Sequence, residues 1–120
     1  MSKDGKTFFV ADGYCNSRII KYSIEVSNLG YHDVKLKKLL SWGKVNQQGL
    51  QISQSPYSLR VPHALTMAHD KGLVCLADRE NGRVLCYNVE DGKIARTIKP
   101  PEFGSTIYSV AYCPKKGTTN

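Results

Sequence analysis

The sequence has no apolar run approaching the ~18 residues of a membrane-spanning helix, and none of its segments reads as one. It does not open on a charged-then-apolar leader either. Met1-Ser2-Lys3-Asp4-Gly5-Lys6 is polar throughout, so no signal peptide is expected in these residues. The four cysteines, Cys15, Cys75, Cys86 and Cys113, include no Cys-x-x-Cys pair, which argues against a zinc ribbon or a thioredoxin-like redox motif. Acids are scarce, with 10 Asp and Glu against 17 Lys and Arg and a net charge of +7. Such a balance can draw nucleic acid, acidic membrane or carboxylate ligands. A solvated basic surface is the plainer reading, and no nucleic-acid partner is expected. No segment sustains a helical apolar period.

What is present fits one small globular unit: 120 residues, 41% hydrophobic and 22% charged, enough for a modest core. The sequence also repeats itself. Residues 9–22 read Phe-Val-Ala-Asp-Gly-Tyr-Cys-Asn-Ser-Arg-Ile-Ile-Lys-Tyr, and residues 75–87 read Cys-Leu-Ala-Asp-Arg-Glu-Asn-Gly-Arg-Val-Leu-Cys-Tyr. Ala11, Asp12, Asn16, Arg18 and Tyr22 match Ala77, Asp78, Asn81, Arg83 and Tyr87, with one extra residue in the first turn. Both copies read as strand, polar turn, strand, because Asp, Asn, Gly and Ser tolerate turn geometry and bond their own backbone. Each Arg can tie its turn through a carboxylate, the Asp of the repeat being one candidate.

Further strands are expected at 35–42, 61–68, 93–98 and 107–113. Lys35, Lys37 and Lys38, interleaved with Val34, Leu36, Leu39 and Leu40, suggest an exposed strand edge whose lysines discourage edge-to-edge pairing. Pro62, which cannot donate to a central ladder, suits the start of an edge strand. Many short strands with such turns predict an all-β fold, a partial β-propeller of about two blades. Its parts are a blade portion at 7–42, a loop at 43–60, a blade at 61–99 and the first strand of another blade at 107–113. The polar stretch 47–60 reads as a long surface loop, either a mere insertion or a functional one.

Few residues suggest chemistry. His63 follows Val61-Pro62 at a strand start; a lone histidine there is more often structural or solvated than a metal ligand. A catalytic zinc typically takes three protein ligands, and His32 and His69 show no ligand spacing. Tyr14 in the first hairpin turn and Arg79 in the second occupy matching ends of neighbouring units, so both can face one mouth. Arg79 can hold a carboxylate through its fork of donors or simply pair with Glu80. Counting outward from the second turn, Asp78 faces Arg83 and Cys75 faces Cys86. Directly opposed hairpin residues lie close enough for a disulfide, so that pair is the expected one.

Val10-Ala11-Asp12-Gly13-Tyr14-Cys15-Asn16-Ser17-Arg18-Ile19, Val61-Pro62-His63 and Ala77-Asp78-Arg79-Glu80-Asn81-Gly82-Arg83 together resemble peptidyl-α-hydroxyglycine α-amidating lyase. The repeat alone is common to NHL-type propellers; the combination, with Cys75 and Cys86 in register, is more specific. The resemblance covers about residues 7–27 and 58–112. It implies a six-bladed NHL propeller with zinc on its axis, in the lyase unit of secretory-pathway peptide-amidating enzymes. It implies cleavage of a peptidyl-α-hydroxyglycine to a C-terminally amidated peptide and glyoxylate. On this resemblance His63 is a zinc ligand, Tyr14 the catalytic base and Arg79 an active-site arginine. A free phenol titrates near ~10, so Tyr14 needs zinc or Arg79 nearby.

The same resemblance makes Cys75–Cys86 a disulfide and pairs Cys15 with a cysteine outside this chain. It implies calcium as well as zinc, but the calcium ligands, two further zinc histidines and a second arginine find no match here. The chain is therefore expected to be a piece of the lyase, inactive alone, from the secretory pathway or the extracellular space. The alternatives are a non-enzymatic NHL module that binds protein or RNA, and a purely structural pair of blades. A cytosolic module of the first kind would not need the cysteine pair.

Overall fold

The two repeat copies become two hairpins with the same register. In a computed structural model, which describes residues 1–14, 16–26, 34–45, 55–104 and 106–114, β1 (Thr7–Asp12) pairs antiparallel with β2 (Arg18–Val26). β3 (Val34–Trp42) completes that sheet in the order β1-β2-β3. Two-residue strands β4 (Lys44–Val45) and β5 (Ser58–Leu59) pair in parallel. The second sheet runs β6 (Pro62–Ala68), β7 (Leu73–Asp78), β8 (Arg83–Asn88) and β9 (Ile94–Ile98), all antiparallel. The fold is thus all-β, and with its NHL-type units it is part of a β-propeller. No helix among the described residues is long and apolar enough to cross a membrane.

The repeat residues explain themselves in space. Asp12 lies opposite Arg18, and Asp78 lies opposite Arg83. The Asp12 carboxylate accepts from Asn16 Nδ2 at 2.8 Å and Arg18 Nε at 3.0 Å. The Asp78 carboxylate accepts from Asn81 Nδ2 at 2.8 Å and Arg83 Nε at 2.9 Å. Each Asp therefore closes its turn by binding the Asn and Arg that follow. The turn ends in a left-handed residue in both copies, Gly82 at φ 60° and Ser17 at φ 49°. Glycine adopts that conformation freely, whereas a serine is strained there.

Alternation then sorts the second sheet into two faces. Val74, Leu76, Leu85 and Tyr87 pack with Leu59, and with Ile19 and Trp42 from the first sheet, so the main core lies between the two sheets. Cys75, Val84 and Cys86 face the other way, toward Leu73, Ile98, Phe103, Ile107 and Val110. Cys75 and Cys86 are directly opposed and bonded as a disulfide. β3 is the exposed edge its lysines suggested, with Val34 and Leu36 more than half exposed.

Two parts depart from expectation. Residues 46–54 of the expected loop 43–60 lie outside the described residues, but its ends are not a surface loop. Leu59 is fully buried, and the carbonyls of Ser55 and Ser58 accept from Arg83 Nη2 at 2.7 and 2.9 Å. The Pro56 carbonyl accepts from the Tyr87 hydroxyl at 2.6 Å. This backbone supplies acceptors that buried donors need. The strand expected at 107–113 does not form. There Ile107 N donates to the Arg79 carbonyl and Tyr112 N to the Thr66 side chain, which is not a ladder.

Burial, with the Asp78 charge adding to it, holds the Tyr87 phenol well above its ordinary pKa. An unfolded tyrosine ionises near ~10. Because the folded value is the higher one, this contribution is complete below about pH 10 and declines as the pH rises toward the folded value. Tyr87→Phe, which deletes the bond to Pro56, should cost about 1 kcal/mol at neutral pH and flatten that alkaline decline. Urea unfolding of both proteins at neutral and alkaline pH measures the two effects; an identical decline in both would remove Tyr87 as its cause.

Candidate active site

Tyr14 sits on the turn between β1 and β2, and Arg79 opens the short 3-10 turn Arg79–Asn81 between β7 and β8. His63 is the second residue of β6. The first turn can approach β6 because Gly13 has no side chain; a Cβ there would collide with the Pro62 carbonyl. The second turn is held by main-chain bonds, from Arg79 N to the Val61 carbonyl at 3.3 Å and Glu80 N to the Arg60 carbonyl at 3.0 Å. Val61 adopts φ 55° to present that carbonyl, a conformation unfavourable for a β-branched residue and characteristic of strained functional loops.

These constraints bring the three residues together. Arg79 Nη1 donates to the Tyr14 hydroxyl at 3.0 Å. The Tyr14 and His63 rings meet edge to face, with centroids 6.5 Å apart. Tyr14 is 75% exposed, so a ligand can reach its hydroxyl. Tyr108, from the segment after the blade, joins them. Its ring lies 4.7 Å beneath the Arg79 guanidinium carbon and 5.8 Å from the His63 ring.

His63 Nδ1 lies 2.8 Å from the Tyr108 carbonyl oxygen. A carbonyl only accepts, so in the neutral ring Nδ1 carries the proton and Nε2 the lone pair. A metal-binding histidine is typically held this way, with its other nitrogen donating to a carbonyl. Arg79 has its pKa raised above the ordinary arginine value, chiefly by polar contact with the Tyr108 side chain against the opposing effect of desolvation; Tyr14 and Glu80 add to the rise. Glu80 Oε1 lies 3.5 Å from Arg79 Nε, a charge contact without hydrogen-bond geometry. The cluster is thus a fixed cation, a phenol that accepts from it and an imidazole with one available nitrogen.

Residues 59–87, which carry His63 and Arg79, match the NHL repeat family. Over 107 residues, 89% of this chain, the sequence is 40% identical to peptidyl-glycine alpha-amidating monooxygenase B of Xenopus laevis. It is 38% identical over 115 residues, 95% of the chain, to peptidyl-alpha-hydroxyglycine alpha-amidating lyase 1 of Drosophila melanogaster. With the Mus musculus monooxygenase the identity is 34% over 106 residues. The chain is a relative of the amidating lyases. It spans 11%, 19% and 10% of the length of these three relatives.

In this amidating-lyase relative the structure brings together Tyr14, His63 and Arg79, the residues singled out in the sequence. It forms the Cys75–Cys86 disulfide between β7 and β8. Cys15 and His32 lie outside the described residues. Cys113 is an exposed free thiol. His69 stands on the turn at the opposite end of β6 from His63, and among the described residues no three of His, Cys, Asp and Glu gather as a metal site. A zinc here would find one imidazole nitrogen, His63 Nε2, among the described residues. Sequence reasoning passed over Tyr108, which it placed only within an expected strand. Its one sequence signal is position: it is the second residue of the strand expected at 107–113, as His63 is the second residue of β6.

Proposed function

We propose that Tyr14, Arg79 and His63 form one wall of the active site of a zinc-dependent lyase. The reaction splits a peptidyl-α-hydroxyglycine into a C-terminally amidated peptide and glyoxylate. The observation that carries this reading is the convergence of Tyr14, Arg79 and His63 from three separate elements. The lyase named among the relatives supports the substrate class. The disulfide and the amidating relatives support a place in the secretory pathway, where such bonds persist.

In this reading the Tyr14 oxygen, as phenolate, takes the proton of the α-hydroxyl while the C–N bond breaks. The bonding pair leaves with nitrogen, which takes the proton Tyr14 removed and becomes the terminal amide, returning Tyr14 to its starting form. The former carbinol carbon becomes the aldehyde carbon of glyoxylate. Arg79 donates to the Tyr14 oxygen at 3.0 Å and so fixes where that oxygen stands. Its other donors suit the substrate carboxylate. His63 would hold zinc through Nε2. Zinc, if held there, would supply Lewis-acid charge that eases removal of a hydroxyl proton.

The cluster holds one imidazole, and one imidazole does not fix a catalytic zinc. The 120-residue chain alone is therefore expected to release glyoxylate from an α-hydroxyglycine peptide only at background rate, with zinc added. The assay runs across a protein concentration series. Turnover confined to high concentration would indicate assembly that pools several copies of His63. Robust zinc-dependent turnover by the monomer would contradict the single-ligand reading.

A further inference from the structure

Tyr108 is 57% exposed and belongs to no strand, yet it touches two of the three site residues. Its ring lies beneath the Arg79 guanidinium at 4.7 Å. Its ring meets His63 nearly perpendicularly, at an interplanar angle of 85°. Its carbonyl takes the His63 Nδ1 proton at 2.8 Å, and Ile107, the residue before it, donates its N–H to the Arg79 carbonyl at 3.2 Å. An arginine side chain has many rotamers, and a single hydrogen bond to an exposed tyrosine is a weak tether for one. A cation over an aromatic face gains attraction without restricting the donors at its edge. The guanidinium can thus rest on Tyr108 and still present Nη1 to Tyr14.

We propose that Tyr108 is a positioning residue of this site. Its ring holds the Arg79 guanidinium against Tyr14, and its main-chain carbonyl sets the His63 tautomer so that Nε2 is the lone-pair nitrogen. The proposal rests on the reading of Tyr14, Arg79 and His63 as one site, and it acts through them rather than on substrate. The ring and the carbonyl have separable consequences. Tyr108→Leu removes the aromatic face and keeps the carbonyl; Tyr108→Phe keeps both and deletes only the hydroxyl, whose polar contact with Arg79 is thereby separated from the ring's.

The test is nuclear magnetic resonance on the full chain, at a pH where imidazoles are neutral. Long-range nitrogen–proton spectra should show His63 with its proton on Nδ1 in the parent protein and in both variants. A proton on Nε2 in the parent would overturn the carbonyl's role. The Arg79–Tyr14 cross-peak should weaken on the order of two- to fivefold in Tyr108→Leu, the scale of an exposed cation–π contact, and persist in Tyr108→Phe. An unchanged cross-peak in Tyr108→Leu, or an equal loss in Tyr108→Phe, would overturn the ring's role. Unaltered amide shifts across the Cys75–Cys86 hairpin certify the fold, and Tyr108→Gln gives the same reading should Leu disturb it. Intact contacts with no lyase activity in a complete propeller would count against the lyase reading alone. Lost contacts in an active propeller would count against Tyr108 alone.

Discussion

Tyr14→Phe is expected to lower turnover by ~10²–10⁴-fold, the usual contribution of general acid–base catalysis, in a complete lyase propeller carrying this segment. The substitution deletes one oxygen and little else. Tyr14 is an exposed turn residue, so no core packing is lost, and the ring that meets His63 remains. Arg79 loses its acceptor at 3.0 Å but keeps the Tyr108 face and the nearby Glu80. Zinc content should therefore stay unchanged while the proton acceptor disappears. Steady-state glyoxylate release and metal analysis of the same preparations separate the two. A fall of less than about tenfold, below the range typical of such a group, would assign the proton transfer elsewhere.

Asp78→Ala is expected to destabilise the chain by about 3–5 kcal/mol, because removing one partner of a buried ion pair strands the other. Asp78 is fully buried and Arg83 nearly so, with Nε 2.9 Å from the carboxylate. Asp78 also accepts from Asn81 Nδ2 and from the Arg60 main-chain N–H, at 2.8 and 2.9 Å. Three donors would lose one acceptor. Domains of this kind have total stabilities of only about 5–15 kcal/mol, so much of the fold is at stake. The matching Asp12→Ala should cost far less, since the Asp12–Arg18 pair is partly exposed and such pairs are screened. Urea unfolding of both variants decides it; equal costs would mean that burial does not separate the two copies.

This contrast shows what a repeat conveys and what it omits. The shared Asp, Asn and Arg fixed both hairpins, their registers and the Cys75–Cys86 opposition, because period-two alternation and turn chemistry are local properties. Burial is not local. Nothing in the two copies reveals that Arg83 lies inside while Arg18 lies near the surface. Residues 55–60 illustrate the same limit: Ser55, Pro56 and Ser58 have loop-like side chains, yet their carbonyls satisfy Arg83, Asn81 and Tyr87. Main-chain acceptors leave no trace in composition. Residues 107–113 have strand-like side chains, but a strand also needs a ladder partner.

The meeting of Tyr14 and Arg79 was legible for a related reason. Tyr14 and Arg79 stand on matching turns of neighbouring units, and such turns emerge at one end. The sequence could not show how closely they meet, since that depends on Gly13 passing the Pro62 carbonyl and on Val61 at φ 55°. Tyr108 was illegible because half of its role runs through a carbonyl that any residue possesses.

Whether this chain contributes a wall of an amidating-lyase site is tested most directly by a chimera. Residues 7–112 would replace the matching segment of a related lyase, and glyoxylate release from an α-hydroxyglycine peptide would be measured with zinc and after its removal. The account predicts turnover that is lost with the metal and restored by it. A folded, zinc-loaded chimera that releases no glyoxylate would contradict it.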